Sequence, residues 1–328
     1  MAERATVAQV TQIGAESTAG TAVAASKLLT SLELTGGIKV ANQVFRPAGR
    51  KYPSFVVPGR EWSEWKIGGW VTYGEVVYPL ASILKSVTPS ADTTLGKLWT
   101  FAPALSAEDT VQTYTIEQGG TVRAHSFAYG IVSELGFRFT REGCQYDGTL
   151  LGQRISDGIS MTAGAAAIET PPVPVAGTQI SVYAADSWAG LTGASASTRI
   201  LSAEWRISNR FGPLWVLDAS KTSYVAHVET VPDVSCKLTV EADAAGMAFL
   251  TLMRNATNKW LRIKASGADI DTGKPYLFQI DGAYNVSEPS EFRDQDGVYA
   301  LEWTFVPVYD GTAGKTIEVQ VRNKVAAL

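Results

Sequence analysis

The chain has 328 residues, 45% of them hydrophobic and 18% charged, with a formal net charge of −4. That length exceeds what one core normally fills and suits two units of about 150 residues each. The acidic balance excludes an overall basic field for holding nucleic acid, and the globular composition excludes wholesale disorder.

Residues 1–30 are rich in Ala, Thr, Gly and Ser and show neither strand nor helix periodicity, which predicts an extended arm that orders only against a neighbour. LELTGGIKV from Leu32 reads as a strand. A passage from Arg46 to Trp65 follows, carrying Pro47, Pro53, Pro58, Gly49 and Gly59, and is read as a long irregular connection or an open hairpin. A helix is expected to start near Glu75 or Pro79, with Val76, Leu80, Ile83 and Leu84 on one face. Tyr114–Ile116 and the alternating run from Ile131 to Phe139 predict strands with one face buried. The composition then shifts to Ala, Gly and Pro between Gly158 and Gly177, and residues 166–177 are read as a linker.

Beyond it, QISVYAA and ILSAEWRIS predict strands, and EADAAGMAFLTLMRNA a helix in which Ala245, Phe249, Leu252 and Met253 recur at helical spacing. GKPYLFQI, YALEWTF and TIEVQVRNKV complete the strands. The order of elements in the two halves matches: WKIGGWV, a helix and a late strand, IVSELGFRF, in the first; CKLTV, a helix and YALEWTF in the second. The fold expected is mainly β, a sandwich or barrel with one flanking helix, used twice in tandem over residues 31–165 and 178–328.

Residues that carry chemistry are few. His125 and His227 are the only histidines and Cys144 and Cys236 the only cysteines, so neither a His-rich metal site nor a disulfide framework is expected. Nucleotide loops, nucleophile elbows and zinc-protease spacings do not occur, so neither enzyme activity nor a cofactor is expected. DIDTG (Asp269, Asp271, Gly273) and RDQDG (Asp294, Asp296, Gly297) resemble calcium loops but lack the closing Glu, and are read as turns. Trp65, Trp205 and Trp303 fall in strand patterns and are assigned to cores; Trp62 is a candidate for an interface. With no secretory leader or apolar run of about 20 residues, a soluble protein made in a cytoplasm is expected, with no membrane partner.

The stretch GAESTAGTAVAASKLL, through Gly14, Glu16, Thr18, Gly20, Thr21, Ala22 and Lys27, resembles the N-terminal signature of tail tube (major tail) proteins of long-tailed bacteriophages. GTQISVYAADSWAGL and RILSAEWRISNRFGPLWVLD are similar to long members of that family. The resemblance implies a non-enzymatic subunit that stacks as rings into the virion tail tube of a siphovirus, with no cofactor. Its implied partners are further copies of itself, the tape measure protein, the tail terminator and DNA in transit. Two tandem units imply a homotrimer making a pseudo-hexameric ring.

On that reading the arm residues Gly14, Glu16, Thr18, Gly20 and Thr21 and the loop residues Arg46, Arg50, Lys51, Arg60 and Trp62 are candidates for contacts between stacked rings. Glu134, Glu302 and Glu318 are candidates for facing the lumen. The alternative is a carbohydrate- or receptor-binding β-protein of a tail fibre or adhesin, which a platform of stacked aromatics would favour.

Overall fold

A computed structural model describes residues 8–295 and 297–328. The first half contains strands β1 (Val10–Ala15), β2 (Lys27–Leu29), β3 (Leu32–Phe45) and β4 (Phe55–Gly69), then helix α1 (Val77–Ile83). It continues through β5 (Ser90–Ala91), β6 (Lys97–Phe101), β7 (Tyr114–Gly119), β8 (Ala124–Phe139), β9 (Cys144–Gly152), β10 (Ser156–Ile159) and β11 (Ala166–Ala167). The second half contains β12 (Ile180–Ala185), β13 (Ile200–Ser208), β14 (Phe211–Leu214), β15 (Ala226–Glu229), β16 (Asp233–Glu241), helix α2 (Phe249–Arg254), β17 (Lys259–Asp271), β18 (Lys274–Pro289), β19 (Arg293–Gln295), β20 (Val298–Pro307) and β21 (Ile317–Asn323). The fold is mainly β, as the periodicity predicts.

The strand pairing repeats. In the first half β1 pairs β7, β7 pairs β8, β8 pairs β9 and β10, and β9 pairs β4, which pairs β3. In the second, β12 pairs β17, β17 pairs β18, β18 pairs β20 and β21, and β20 pairs β16, which pairs β13. All twelve ladders are antiparallel, and a helix follows the second strand of an equivalent pair in each half, α1 after β4, which pairs β3, and α2 after β16, which pairs β13. We refer to these halves as repeats 1 and 2.

The repeats are not separate bodies. β8 of repeat 1 pairs with β13 of repeat 2, from Phe139 opposite Ala203 to Leu135 opposite Ile207. One sheet therefore runs β3-β4-β9-β8-β13-β16-β20 without a break. In addition β6 of repeat 1 pairs with β21 of repeat 2. Buried side chains of both repeats, among them Trp65, Phe137, Trp205, Phe278 and Trp303, belong to a single hydrophobic cluster, where composition predicts two cores.

β8 is long because it serves two layers: residues 124–130 pair with β7 and β10, residues 131–139 with β9 and β13. The strand changes layer at Tyr129, whose φ of 56° lies in the left-handed region, and a bulge at Val132/Glu134 follows. Around the bulge both Ile131 and Val132 are buried and Ser133 is only half-buried, and the alternation expected from Ile131 resumes in the same phase at Leu135, Phe137 and Phe139.

Three boundaries differ from expectation. The arm is part of the fold: β1 lies between β2 and β7, and Ile13, Ala25 and Leu29 are buried. Residues 166–177 are no free linker, since β11 pairs in parallel with β2, and Val175 is buried while its N–H donates to Val71 O. The second helix is short. Asp243 accepts from the N–H groups of Ala245 and Gly246, starting a 3-10 turn at Gly246–Ala248, and α2 covers only Phe249–Arg254. Residues 1–7 of the expected arm and Asp296 of the RDQDG turn lie outside the described residues.

Candidate assembly surfaces

The continuous sheet has one face in the core and one polar face. On the polar side strand alternation brings Glu33, Glu64, Glu134, Glu204, Lys237 and Glu302 to one surface, opposite the buried Leu34, Trp65, Leu135, Trp205, Leu238 and Trp303. Some of these charges are paired across strands. Arg206 donates to Glu134 (2.6 Å) and Asp147 (2.6 Å), and Glu302 meets Lys237 (3.1 Å) and Arg293 (3.7 Å). Of the residues expected on a lumen, Glu134 and Glu302 lie on this face. Glu318 does not: it is buried on β21, bound by Lys315 (2.7 Å) and Gln320.

Both ends of this sheet carry free hydrogen-bonding edges among the described residues. β3 pairs only with β4; side chains cap its outer edge at Leu32 and Leu34, and no other described strand covers that edge beyond them. β18 residues beyond Tyr284 pair only with β20. An open strand edge invites another strand.

The passage from Arg46 to Trp65 is a hairpin rather than an irregular loop. β3 and β4 stay paired out to Phe45 opposite Phe55, and a register shift between Ala41 and Gln43 sets Pro58 and Gly59 in a bulge. A Cβ on Gly59 would stand 1.8 Å from Ala41 O, so only Gly fits there. Arg46, Arg50 and Lys51 are exposed at the tip. Arg60 and Trp62 instead serve the chain's own packing: Arg60 lies over the Trp215 ring (4.8 Å) and Trp62 meets Trp215 edge-on (5.8 Å).

The residues of the arm motif divide likewise. Gly14 is inside β1 and Glu16 is a buried hub, accepting from Gly20 N (2.8 Å), Thr113 Oγ1 (2.8 Å), Thr115 Oγ1 (2.9 Å) and Tyr129 N (2.9 Å). Glu16 thereby fixes the layer-changing residue of β8. Gly20, at φ 78°, faces the Tyr129 ring, which a Cβ would approach to 2.8 Å. Gly14, Glu16 and Gly20 thus have partners within the chain, while Thr18 and Thr21 are exposed.

Sequence reasoning missed the Glu16 hub and a buried ion cluster between the repeats. Arg210 Nη2 donates to Asp109 (2.8 Å) and Leu84 O (3.0 Å) and lies 3.0 Å from Glu229. Asp109 precedes β7 and Arg210 follows β13, so the pairing joins segments about a hundred residues apart and leaves no local spacing to read.

His227 Nδ1 stands 3.1 Å from Tyr129 Oη, and His125 stacks on Trp65. Burial lowers the pKa of both, against the opposing pull of Glu229 and Glu108 on His227 and of Asp157 on His125. Depressed folded-state values mean that stability is complete above the unfolded pKa of about 6.5 and is lost as pH falls through the folded values. The melting temperature is therefore expected to be lower at pH 5.5 than at pH 7.5, and His227→Gln to narrow that gap. Equal melting temperatures at the two pH values would refute this.

Both cysteines are free and buried, and burial pushes the Cys236 thiol up to about 12. The DIDTG segment forms the β17–β18 turn, with Gly273 N donating to Asp269. Among the described residues no group of three His, Cys, Asp or Glu side chains is placed to hold a metal, and no helix is long and apolar enough to cross a membrane. Compared with known proteins, the sequence matches no family model and no curated protein.

Proposed function

We propose that this chain is a structural subunit that polymerises as stacked rings into the tail tube of a siphovirus-type phage, the conduit for DNA ejection. The observation that carries the reading is the seam between β8 and β13. One chain already contains two like units joined edge to edge, and leaves a β3 edge at one end and a β18 edge at the other. The same contact repeated between chains consumes both edges and closes a barrel. In the pseudo-hexameric ring that the resemblance implies, three chains supply the six units.

The polar face supports a lumen for DNA. A conduit must not grip phosphate, and cations already engaged by carboxylates release few counterions on meeting a nucleic acid. Arg206, Lys237 and Arg293 are engaged in this way. Tape measure protein inside the tube and a terminator at its end belong to the same reading, as does a place in the virion tail.

Microscopy of the purified protein at rising concentration tests it. Tubes of stacked rings with three chains each and near six-fold density are expected. Six chains per ring would reject the trimer while leaving the tube intact; a protein that stays monomeric at every concentration would overturn the function. One observation favours a carbohydrate-binding module instead, the exposed and mutually stacked pair Phe292 and Tyr299 (centroids 4.9 Å, 12° between planes). Glycan binding abolished by Tyr299→Ala, without tubes, would establish that reading.

A further inference from the structure

In repeat 1 the space beside the hairpin base is filled by the hairpin of repeat 2. Tyr224 packs on Tyr129 (5.2 Å) and donates its hydroxyl to Tyr129 O (2.7 Å), while Gln153 Nε2 donates to Tyr224 O (2.7 Å). Glu61 N donates to Thr222 O (3.0 Å), and Trp215 is held between Trp62 and Arg60. The inserted piece is an aromatic pair, Trp215 with Tyr224 (6.0 Å). Its receptor comprises the start of β4's sheet pairing at 60–62 and the β9–β10 corner at 153–154.

In repeat 2 the corresponding place is open. Between residues 229–234, where β16 begins, and the β20–β21 corner at 307–317 lies a groove of about 770 Å3. Leu105, Val231, Tyr309 and Ile317 give it apolar walls, and its charged lining is balanced, Glu108 and Glu229 against Arg210 and Lys315. Val231 is 86% exposed and Leu105 65%. Apolar side chains so exposed at a concave surface mark a place for a partner.

The matching piece is on the other hairpin of the same chain. Phe45 and Phe55 stack near its tip (4.9 Å), as Trp215 and Tyr224 pair in the second hairpin, yet both rings are about half exposed. Arg46, Arg50 and Lys51 flank them. Resting on the ring reading above, we propose that the Phe45–Phe55 tip of a second copy seats in this groove, repeating between chains the insertion that Trp215 and Tyr224 make within one. The hairpin then acts sideways within a ring rather than axially between rings, as its sequence suggested.

The test uses the full chain with Tyr52→Cys and Val231→Cys together, assembled, oxidised and run on a denaturing gel without reductant. The native cysteines are buried and do not compete. Covalent species that end at one closed ring are expected, with each single variant remaining monomeric on the gel. In parallel, Phe45→Ser with Phe55→Ser should leave the subunit's melting temperature within a few degrees while raising the concentration needed for assembly at least tenfold. Cross-linked ladders that grow past one ring would show an axial contact and overturn the proposal, as would normal tubes without any cross-link. Wild-type protein that never assembles would remove the ring reading itself, and this contact with it.

Discussion

Replacing Arg210 with Met is expected to destabilise the fold by about 3 kcal/mol, because the buried Asp109 carboxylate loses its closest cation and retains only Lys85 at 3.4 Å. Removing one partner of a buried pair costs more than removing the pair's charge altogether. Combining Arg210→Met with Asp109→Asn should therefore recover most of the loss, since the amide oxygen can still accept from Ala104 N. Urea unfolding of the two variants measures this. Because both repeats share one core, a single transition should shift as a unit. A loss under 1 kcal/mol for the single variant, or no recovery in the double, would show that the cluster does not act as a buried pair.

A comparable loss, about 3 kcal/mol, is expected from Glu75→Ala. Glu75 is 2% exposed and its carboxylate accepts from Thr30 N (2.8 Å), Ser31 N (3.0 Å), Leu32 N (2.9 Å), Ser31 Oγ (2.7 Å) and Thr30 Oγ1 (2.5 Å). It ties the corner between β2 and β3 to the start of α1. Truncation strands several donors at once, and each unmatched buried donor carries a desolvation cost of about 1–3 kcal/mol. Glu75→Gln, which keeps one acceptor, should lie between. If Ala and Gln variants melt together near the wild-type temperature, the carboxylate is not organising the corner.

What the sequence disclosed follows the range of the forces involved. Strands such as ILSAEWRIS and YALEWTF, with Trp205 and Trp303 fully buried, are legible because inward and outward residues alternate within a few positions. Pro79 marks the first turn of α1 correctly, but the one-sided pattern of Val76, Leu80, Ile83 and Leu84 does not mean one buried face, since every residue of α1 is buried. The arm misleads because β1 gains its stability from β7, about a hundred residues away, and from a carboxylate that no hydrophobic pattern can reveal. Pro58 and Gly59 read as loop residues because strands usually reject them; a bulge accommodates both. The polar face was half legible, with Glu134 and Glu302 found by alternation. Glu318 follows the same alternation, yet lies on a strand whose polar side is covered.

The pairing of β6 with β21 has a bearing on how the chain reaches its final form. Phe101 and Trp99 in the first third stand opposite Val319 and Val321 near the C-terminus. During synthesis the early strand must wait, edge open, until the last one arrives, and contacts of such long sequence separation are slow to form. Cutting the chain at residues 166–177 would leave β6 with only the two-residue β5 beside it in one fragment and β21 with only β18 in the other. The two repeats are thus a duplication in pattern that has lost the independence of its copies: each lends the other a strand, and the edges between them are satisfied only when both are present.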